Sequence, residues 1–105
     1  MKYVFISQPM KNKNYAQIFE ERGPVIRKMM EEGYYTLGSV FDFKDPAPAY
    51  AQNQRVYYLA KAIDILCRAD KAYFMKGWEK ADGCIIEHEI CKRYGIPIEY
   101  AGMMK

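Results

Sequence analysis

The stretch YVFISQP, residues 3–9, decides the fold, because it begins the chain with a short apolar run that stops at a turn. Tyr3-Val4-Phe5-Ile6 is rich in β-branched and aromatic residues and shows no polar alternation. That composition is typical of a strand buried on both faces of a parallel sheet. Similar stretches predict three more strands, at about 34–37, 72–75 and 98–100.

Three helical stretches lie between these strands. Asn14 is placed to cap a helix that runs to about Glu32 and stops at Gly33. The pair Gly23-Pro24 is expected to kink or split this helix. Apolar residues at helical spacing predict a second helix from residue 54 to about 69, and a third from 83 to 93.

The alternation of strands and helices predicts right-handed crossovers, with helices on both faces of the sheet. We expect a small doubly wound, flavodoxin-like α/β fold: three α/β/α layers around a mainly parallel sheet of four or five strands. Residues 1–105 are expected to form a single domain, because chains of this size rarely build two cores. Ligands of such sheets bind outside the carboxyl ends of the strands. The aperiodic stretch 38–52 is expected to form a functional loop, or lid, there.

Composition excludes several classes of function. Hydrophobic residues make up 50% of the chain and charged residues 28%, which is a globular balance. The net charge is +3, and the basic residues are scattered along the chain and form no stripe, so a nucleic-acid polymer is not an expected partner. The first apolar run is too short for a signal peptide or a membrane span, and we expect a soluble, cytoplasmic protein with no membrane partner. Three cysteines without a CxxC pair predict reduced thiols.

Glu87 does not fit its surroundings in the third helix. At about 100° per residue from Cys84 it lies at about 300°, inside the apolar arc that also holds Ile90 and Cys91. A carboxylate on that arc faces the sheet, and it is costly if it is charged and unpaired. The dipole and free N–H groups of the first helical turn are expected to compensate, and Gly83 lets a ligand approach the backbone. Alternatively, Glu87 pairs with a Lys or an Arg.

Other residues near this helix carry weaker signals. Cys84, His88 and Cys91 follow one another along the helix, but three ligands in such a row close no tetrahedral site, so no metal is expected. Cys84 can also be a nucleophile activated by His88, although no third orienting group is apparent. Trp78 can stack on a base or a sugar, or simply pack.

Four segments together resemble a known family. They are ISQPM at 6–10, ADKAYF at 69–74, GWE at 77–79 and GCIIEHE at 83–89. This combination resembles the small proteins grouped as domain of unknown function 4406, among the nucleoside 2-deoxyribosyltransferase-like proteins. In the better-understood relatives, a glutamate four residues after a loop glycine is the nucleophile, and Gly83 with Glu87 reproduces that spacing.

The resemblance implies cleavage of an N-glycosidic bond, by transfer or hydrolysis, in a 2′-deoxynucleoside or its 5′-monophosphate. Glu87 is then the catalytic nucleophile: it attacks C1′, and an acceptor base or water resolves the glycosyl ester with net retention. No cofactor is expected. The candidates to protonate the departing base are Asp42, Asp45 and Tyr50. The expected substrate-binding residues are Ser7, Gln8, Met10, Asp42, Trp78, Asp82 and Gly83.

Two positions depart from the family pattern. Relatives carry an aspartate or a serine six residues before the nucleophile, where this chain has Ala81, and an acidic residue where it has Ala62. The departures leave open a second function, a non-catalytic module that binds a nucleotide or an ADP-ribose-like metabolite. The chain is shorter than the characterised transferases, which borrow residues from a neighbouring subunit. A homo-oligomer is therefore expected, formed through Tyr57-Tyr58 or the tail 100–105.

Overall fold

The structure is a computed structural model, and it describes residues 1–38, 40 and 47–102 of the chain. Within these residues the chain forms four strands, three α-helices and one short 3₁₀ turn. The strands are β1 (Lys2–Ser7), β2 (Tyr34–Leu37), β3 (Lys71–Phe74) and β4 (Ile98–Tyr100). The helices are α1 (Tyr15–Glu31), α2 (Gln54–Leu66) and α3 (Asp82–Tyr94), and the 3₁₀ turn is Trp78–Lys80.

The strands form one parallel sheet with the order β2-β1-β3-β4. The two apolar strands β1 and β3 occupy its centre, and Ser7 at the end of β1 lies opposite Phe74 at the end of β3. Because all four strands run the same way, their carboxyl ends share one edge of the sheet. This edge is where a ligand site is expected in such a fold.

Two hydrophobic clusters cover the two faces of the sheet, since successive residues of a strand point to opposite sides. Phe5 packs on one face with residues of α2 and α3, including Leu66 and Cys91. Val4 packs on the other face with Met29 of α1. The predicted three-layer α/β/α architecture with a parallel sheet is confirmed, and the sheet of the described residues has four strands.

The first helix begins as predicted but is not split. The Asn14 side chain accepts a hydrogen bond from the backbone N–H of Gln17, whose side chain accepts one from the backbone N–H of Asn14, a complete capping box. Gly23-Pro24 does not split α1, because the helix runs through Pro24 to Glu31, and the alternative of a kink at this pair stays a prediction. A proline ring clashes with the Cβ of the residue before it, and Gly23 has no Cβ.

The second helix ends earlier than predicted, at Leu66 instead of about residue 69. The backbone N–H groups of Arg68 and Ala69 bond to carbonyls three residues back, which tightens the last turn. The next N–H group, that of Asp70, donates to the carbonyl of Tyr3 at 2.8 Å. The chain therefore leaves the helix by joining the strand layer beside β1.

Some predictions fall outside the described residues. Residues 39 and 41–46 of the proposed lid, including Asp42 and Asp45, are in this class, and so are residues 103–105 of the tail. Of the helices in the described ranges, none combines the length and the apolar character needed to span a bilayer.

Candidate functional site

A large cavity opens at the carboxyl ends of β1 and β3, where this fold places ligands. Its volume is about 1080 Å³, at the upper end of the ~300–1,000 Å³ typical of small-molecule sites. Its walls come from the turn after β1, the first half of α2, the loop after β3 and the first two turns of α3. The cavity is therefore large enough for a nucleotide.

Glu87 lines this cavity although its side chain is nearly buried, with 7% of the residue exposed. The Ser7 hydroxyl, itself fully buried, donates a hydrogen bond of 2.7 Å to Oε1 of Glu87. Within the described residues, neither a second hydrogen bond nor an ion pair within 4.0 Å reaches this carboxylate, and no buried side-chain N or O atom lacks a partner. Oε2 is therefore not fully buried, and Glu87 forms part of the cavity wall.

The sequence brings Ser7 and Glu87 together through the pleat of β1 and the start of α3. Ser7 is two residues after Phe5 and so points to the same face of the sheet, the face covered by α3. The apolar arc of α3 turns Glu87 toward that face, as the sequence predicts. However, α3 begins at Asp82, so Glu87 lies in its second turn and not in its first. The helix dipole acts mainly on the first turn, and the compensation for this carboxylate comes from elsewhere.

Burial dominates the ionisation of Glu87. It raises the pKa of the carboxyl from its ordinary 4.5 to about 7, against the opposing effects of the Ser7 hydrogen bond and the positive charge of Arg22. At pH 7, Glu87 is therefore a carboxylate in about half of the molecules and a carboxylic acid in the other half. A group poised in this way can act as a nucleophile or as an acid–base catalyst near neutral pH.

Arg22 is a buried cation that the sequence reasoning missed. It lies on α1 with 3% of its surface exposed, and its guanidinium donates to Gln8 Oε1 at 2.9 Å and to the carbonyl of Ile6 at 3.4 Å. Burial lowers the pKa of Arg22 to about 10, which leaves it protonated at neutral pH. The same wheel argument that selects Glu87 could have found it, because Arg22 stands between Ile18 and Met29 on the buried stripe of α1.

The side-chain amide of Gln8 uses both its nitrogen and its oxygen in hydrogen bonds within the protein. Its amide Nε2 donates to the carbonyl of Ile18 at 2.9 Å and to Glu21 Oε1 at 3.2 Å, while its Oε1 accepts from Arg22. Both amide hydrogens are therefore used inside the protein. Gln8 lines the cavity, but its hydrogen bonds shape the site and leave no free donor for a substrate.

Five of the predicted site residues line the cavity: Gln8, Met10, Asp82, Gly83 and Glu87. Ser7 stands behind Glu87 and contacts its carboxylate. Ala62 and Ala81, the two positions that depart from the family pattern, also line the wall. Lys11, Arg55 and Lys80 add positive charge at the rim, where Arg55 pairs with Asp82 at 3.1 Å.

Trp78 lies outside this cavity. Its ring stacks on His88 with centroids 4.1 Å apart, and His88 Nε2 is 2.6 Å from the Tyr100 hydroxyl. Trp78 lines a second depression of about 550 Å³ at the ends of β3 and β4. Its expected contact with substrate stays a prediction, as does the role of Asp42, which is not among the described residues.

The cysteines of α3 are poor nucleophiles. Burial raises the pKa of both Cys84 and Cys91 to about 11, so both thiols are protonated at neutral pH. Cys84 lines the cavity but His88 belongs to the Trp78 stack, and no His/Cys/Asp/Glu cluster that could hold a metal occurs in the described part of the chain.

Comparison with known proteins places the chain in a family. Searches of curated proteins and of solved structures find no match to the chain. A family model, described as Domain of unknown function (DUF4406), matches residues 3–100, which is nearly the whole chain and includes both Ser7 and Glu87. The protein therefore belongs to the family Domain of unknown function (DUF4406).

Proposed function

We propose that this protein transfers or hydrolyses the N-glycosidic bond of a 2′-deoxynucleoside or its 5′-monophosphate, with Glu87 as the nucleophile. One observation carries the proposal: a nearly buried glutamate, hydrogen-bonded through one oxygen to Ser7, lines a cavity of about 1080 Å³. The proposal extends the resemblance of this chain to nucleoside 2-deoxyribosyltransferase-like proteins, in which a glutamate at the same spacing from a glycine is the nucleophile.

The chemistry follows from the two oxygens of Glu87. Oε2 attacks C1′ of the sugar while the C1′–N bond breaks, and the electron pair of that bond leaves with the base, which takes up a proton. The Ser7 hydroxyl bonds to Oε1, which holds the carboxylate in place during the attack. Water or an acceptor base then attacks C1′ from the opposite side and gives up a proton, which balances the proton taken up by the departing base, while the ester bond breaks to regenerate the carboxylate. Two inversions give net retention.

Chromatography of the released base tests this proposal. We expect the wild type to release base from deoxynucleosides or their monophosphates, and Glu87→Gln, which keeps the size and the hydrogen-bond acceptor, to fall to background. Glu89→Gln is the matched control, since Glu89 lies on the same helix but is exposed and pairs with Arg93. Equal background release from the wild type and Glu87→Gln would overturn the proposal.

A second candidate function is non-catalytic binding of a nucleotide or an ADP-ribose-like metabolite. The presence of Ala62 in the cavity wall favours it. The relatives carry an acidic residue at this position, and here a methyl group lines the cavity instead. A thermal-shift panel separates the two functions, because a bound ligand stabilises the folded state whether or not it reacts. Stabilisation by a nucleotide without release of base supports this second function, and stabilisation by none of the ligands contradicts both.

Two further expectations belong to the proposal. The protein forms a homo-oligomer, which light scattering after size exclusion would detect as a mass above 12.3 kDa. It also acts in the cytoplasm, where deoxynucleotides are available, and fractionation of cells that produce the protein checks this location.

A further inference from the structure

We propose that Arg22 is a positioning residue that keeps Glu87 available as a carboxylate, by placing a buried positive charge behind the carboxyl end of β1. The inference rests on the proposed function for its catalytic meaning, but its physical content is a coupling between two charges in the free protein. Arg22 does not itself line the cavity; it binds two residues that do, Ile6 and Gln8, and it is not a catalytic residue.

The geometry places the two charges on opposite faces of the sheet. Arg22 belongs to α1, which packs on the Val4 face, and Glu87 belongs to α3, which packs on the Phe5 face. The end of β1 lies between them: the guanidinium binds the carbonyl of Ile6 and the side chain of Gln8, and the residue between these two, Ser7, binds Glu87. Three consecutive residues thus connect the cation to the carboxylate.

Burial makes this coupling strong. Both side chains are more than nine-tenths buried, so little water screens the field between them. The attraction between the two charges lowers the pKa of Glu87 and raises the pKa of Arg22, in each case against the opposite effect of burial. Without the cation, burial would drive Glu87 further toward the neutral acid, which cannot attack C1′.

Few other charges compete for this role among the described residues. The thiols of Cys84 and Cys91 also lie close to Glu87 and are neutral at pH 7, and Lys13, whose charge reaches Cys84, is paired with Glu21 at 2.8 Å. At the rim of the cavity Arg55 is compensated by Asp82, while Lys80 and Lys11 are solvated surface cations whose fields water screens. Arg22 is therefore the buried positive charge that acts on Glu87 from behind.

A titration of the free protein tests the coupling without any need for turnover. In ¹³C-labelled protein, the side-chain carboxyl resonance that disappears in Glu87→Gln reports Glu87, and its midpoint is followed from pH 4.5 to 9.5. We expect a wild-type midpoint near pH 7, and in Arg22→Met a midpoint higher by about one pH unit, the lower end of what an opposite charge contributes. Arg22→Lys, which keeps the charge, should remain close to the wild type. Arg27→Met is the matched control, since Arg27 is exposed on the same helix.

A folded Arg22→Met protein with the wild-type midpoint would overturn the proposal and reduce Arg22 to a structural tie between α1 and β1. If Arg22→Met does not fold, the reciprocal measurement decides. Removing the charge in Glu87→Gln should lower the midpoint of the Arg22 guanidinium below about 10, and an unchanged midpoint overturns the proposal. Failure of the glycosidic reaction leaves both titrations readable, so the two proposals fail separately. In an active enzyme, the acid limb of kcat/KM should move upward with the Glu87 midpoint in Arg22→Met.

Discussion

Replacing Glu87 by Gln should change how the stability of this protein depends on pH. Burial raises the pKa of Glu87 from 4.5 to about 7, so between these two pH values the folded protein binds a proton that the unfolded chain releases. The free energy of unfolding therefore contains a contribution from Glu87 that is fully present below pH 4.5 and is lost as the pH rises through about 7. Glu87→Gln cannot ionise and does not suffer this loss.

The size of the effect follows from the pKa difference. At about 1.4 kcal/mol per pKa unit, the shift from 4.5 to about 7 corresponds to ~3 kcal/mol between acid and mildly alkaline solution. Stabilities of domains of this size are only about 5–15 kcal/mol, so a change of this magnitude is easily measured. Across this pH range, the unfolding free energy of the variant should rise relative to that of the wild type, whichever of the two proteins is more stable at acid pH.

Urea unfolding at a series of pH values from 4.5 to 8.5 provides the assay. The difference in unfolding free energy between wild type and Glu87→Gln should move by ~3 kcal/mol in favour of the variant, with most of the change above pH 5. Glu89→Gln is the control. Hydrogen bonding to Arg93 lowers the pKa of Glu89, so any effect of Glu89 ionisation on stability occurs at acid pH, below this range. Parallel pH profiles for wild type and Glu87→Gln would refute the reasoning.

Three further predictions address the site and the fold. Ser7→Ala removes the hydrogen bond to Glu87 and should raise its pKa above about 7, so the acid limb of the pH–rate profile moves to higher pH; an unmoved limb contradicts this role. Gly83→Ala should leave stability unchanged or raise it by up to about 1 kcal/mol in urea unfolding, because its Cβ meets only ordinary contacts, yet it should weaken nucleotide binding in a calorimetric titration if the ligand lies on that backbone. Asn14→Ala should cost about 1 kcal/mol of unfolding free energy through loss of the capping box, and no change would mean that the cap is dispensable.

The sequence predicts the fold well because glycines mark the ends of its helices. Gly33 and Gly95 end α1 and α3, and both adopt the positive φ that glycine accepts without strain. The two differences from the predicted helices involve contacts that lie outside the local sequence. The local sequence around Pro24 favours a break in the helix. Tertiary packing of α1 on the Val4 face overrides that tendency. After the end of α2, Asp70 bonds to Tyr3, a long-range contact that no local pattern contains.

The site is predicted in part. Periodicity identifies Glu87, since a carboxylate on an apolar arc is a local anomaly that can be read from one helix. Its partners are harder, because Ser7 and Arg22 come from distant segments and meet Glu87 only when the sheet forms. The sequence alone also does not fix the position of Trp78, because the His88 ring on which it stacks is ten residues away and Trp78 begins the 3₁₀ turn after β3.

The account depends most directly on Glu87 being a carboxylate that a sugar carbon can reach from the cavity. Mass spectrometry of the protein after incubation with a deoxynucleoside monophosphate, quenched in acid and digested, measures whether a glycosyl ester forms and where. We predict an added deoxyribosyl phosphate on the peptide that contains Glu87, absent from Glu87→Gln and present in Glu89→Gln. Turnover of the substrate with the adduct on another residue, or in the Glu87→Gln protein, would contradict the account.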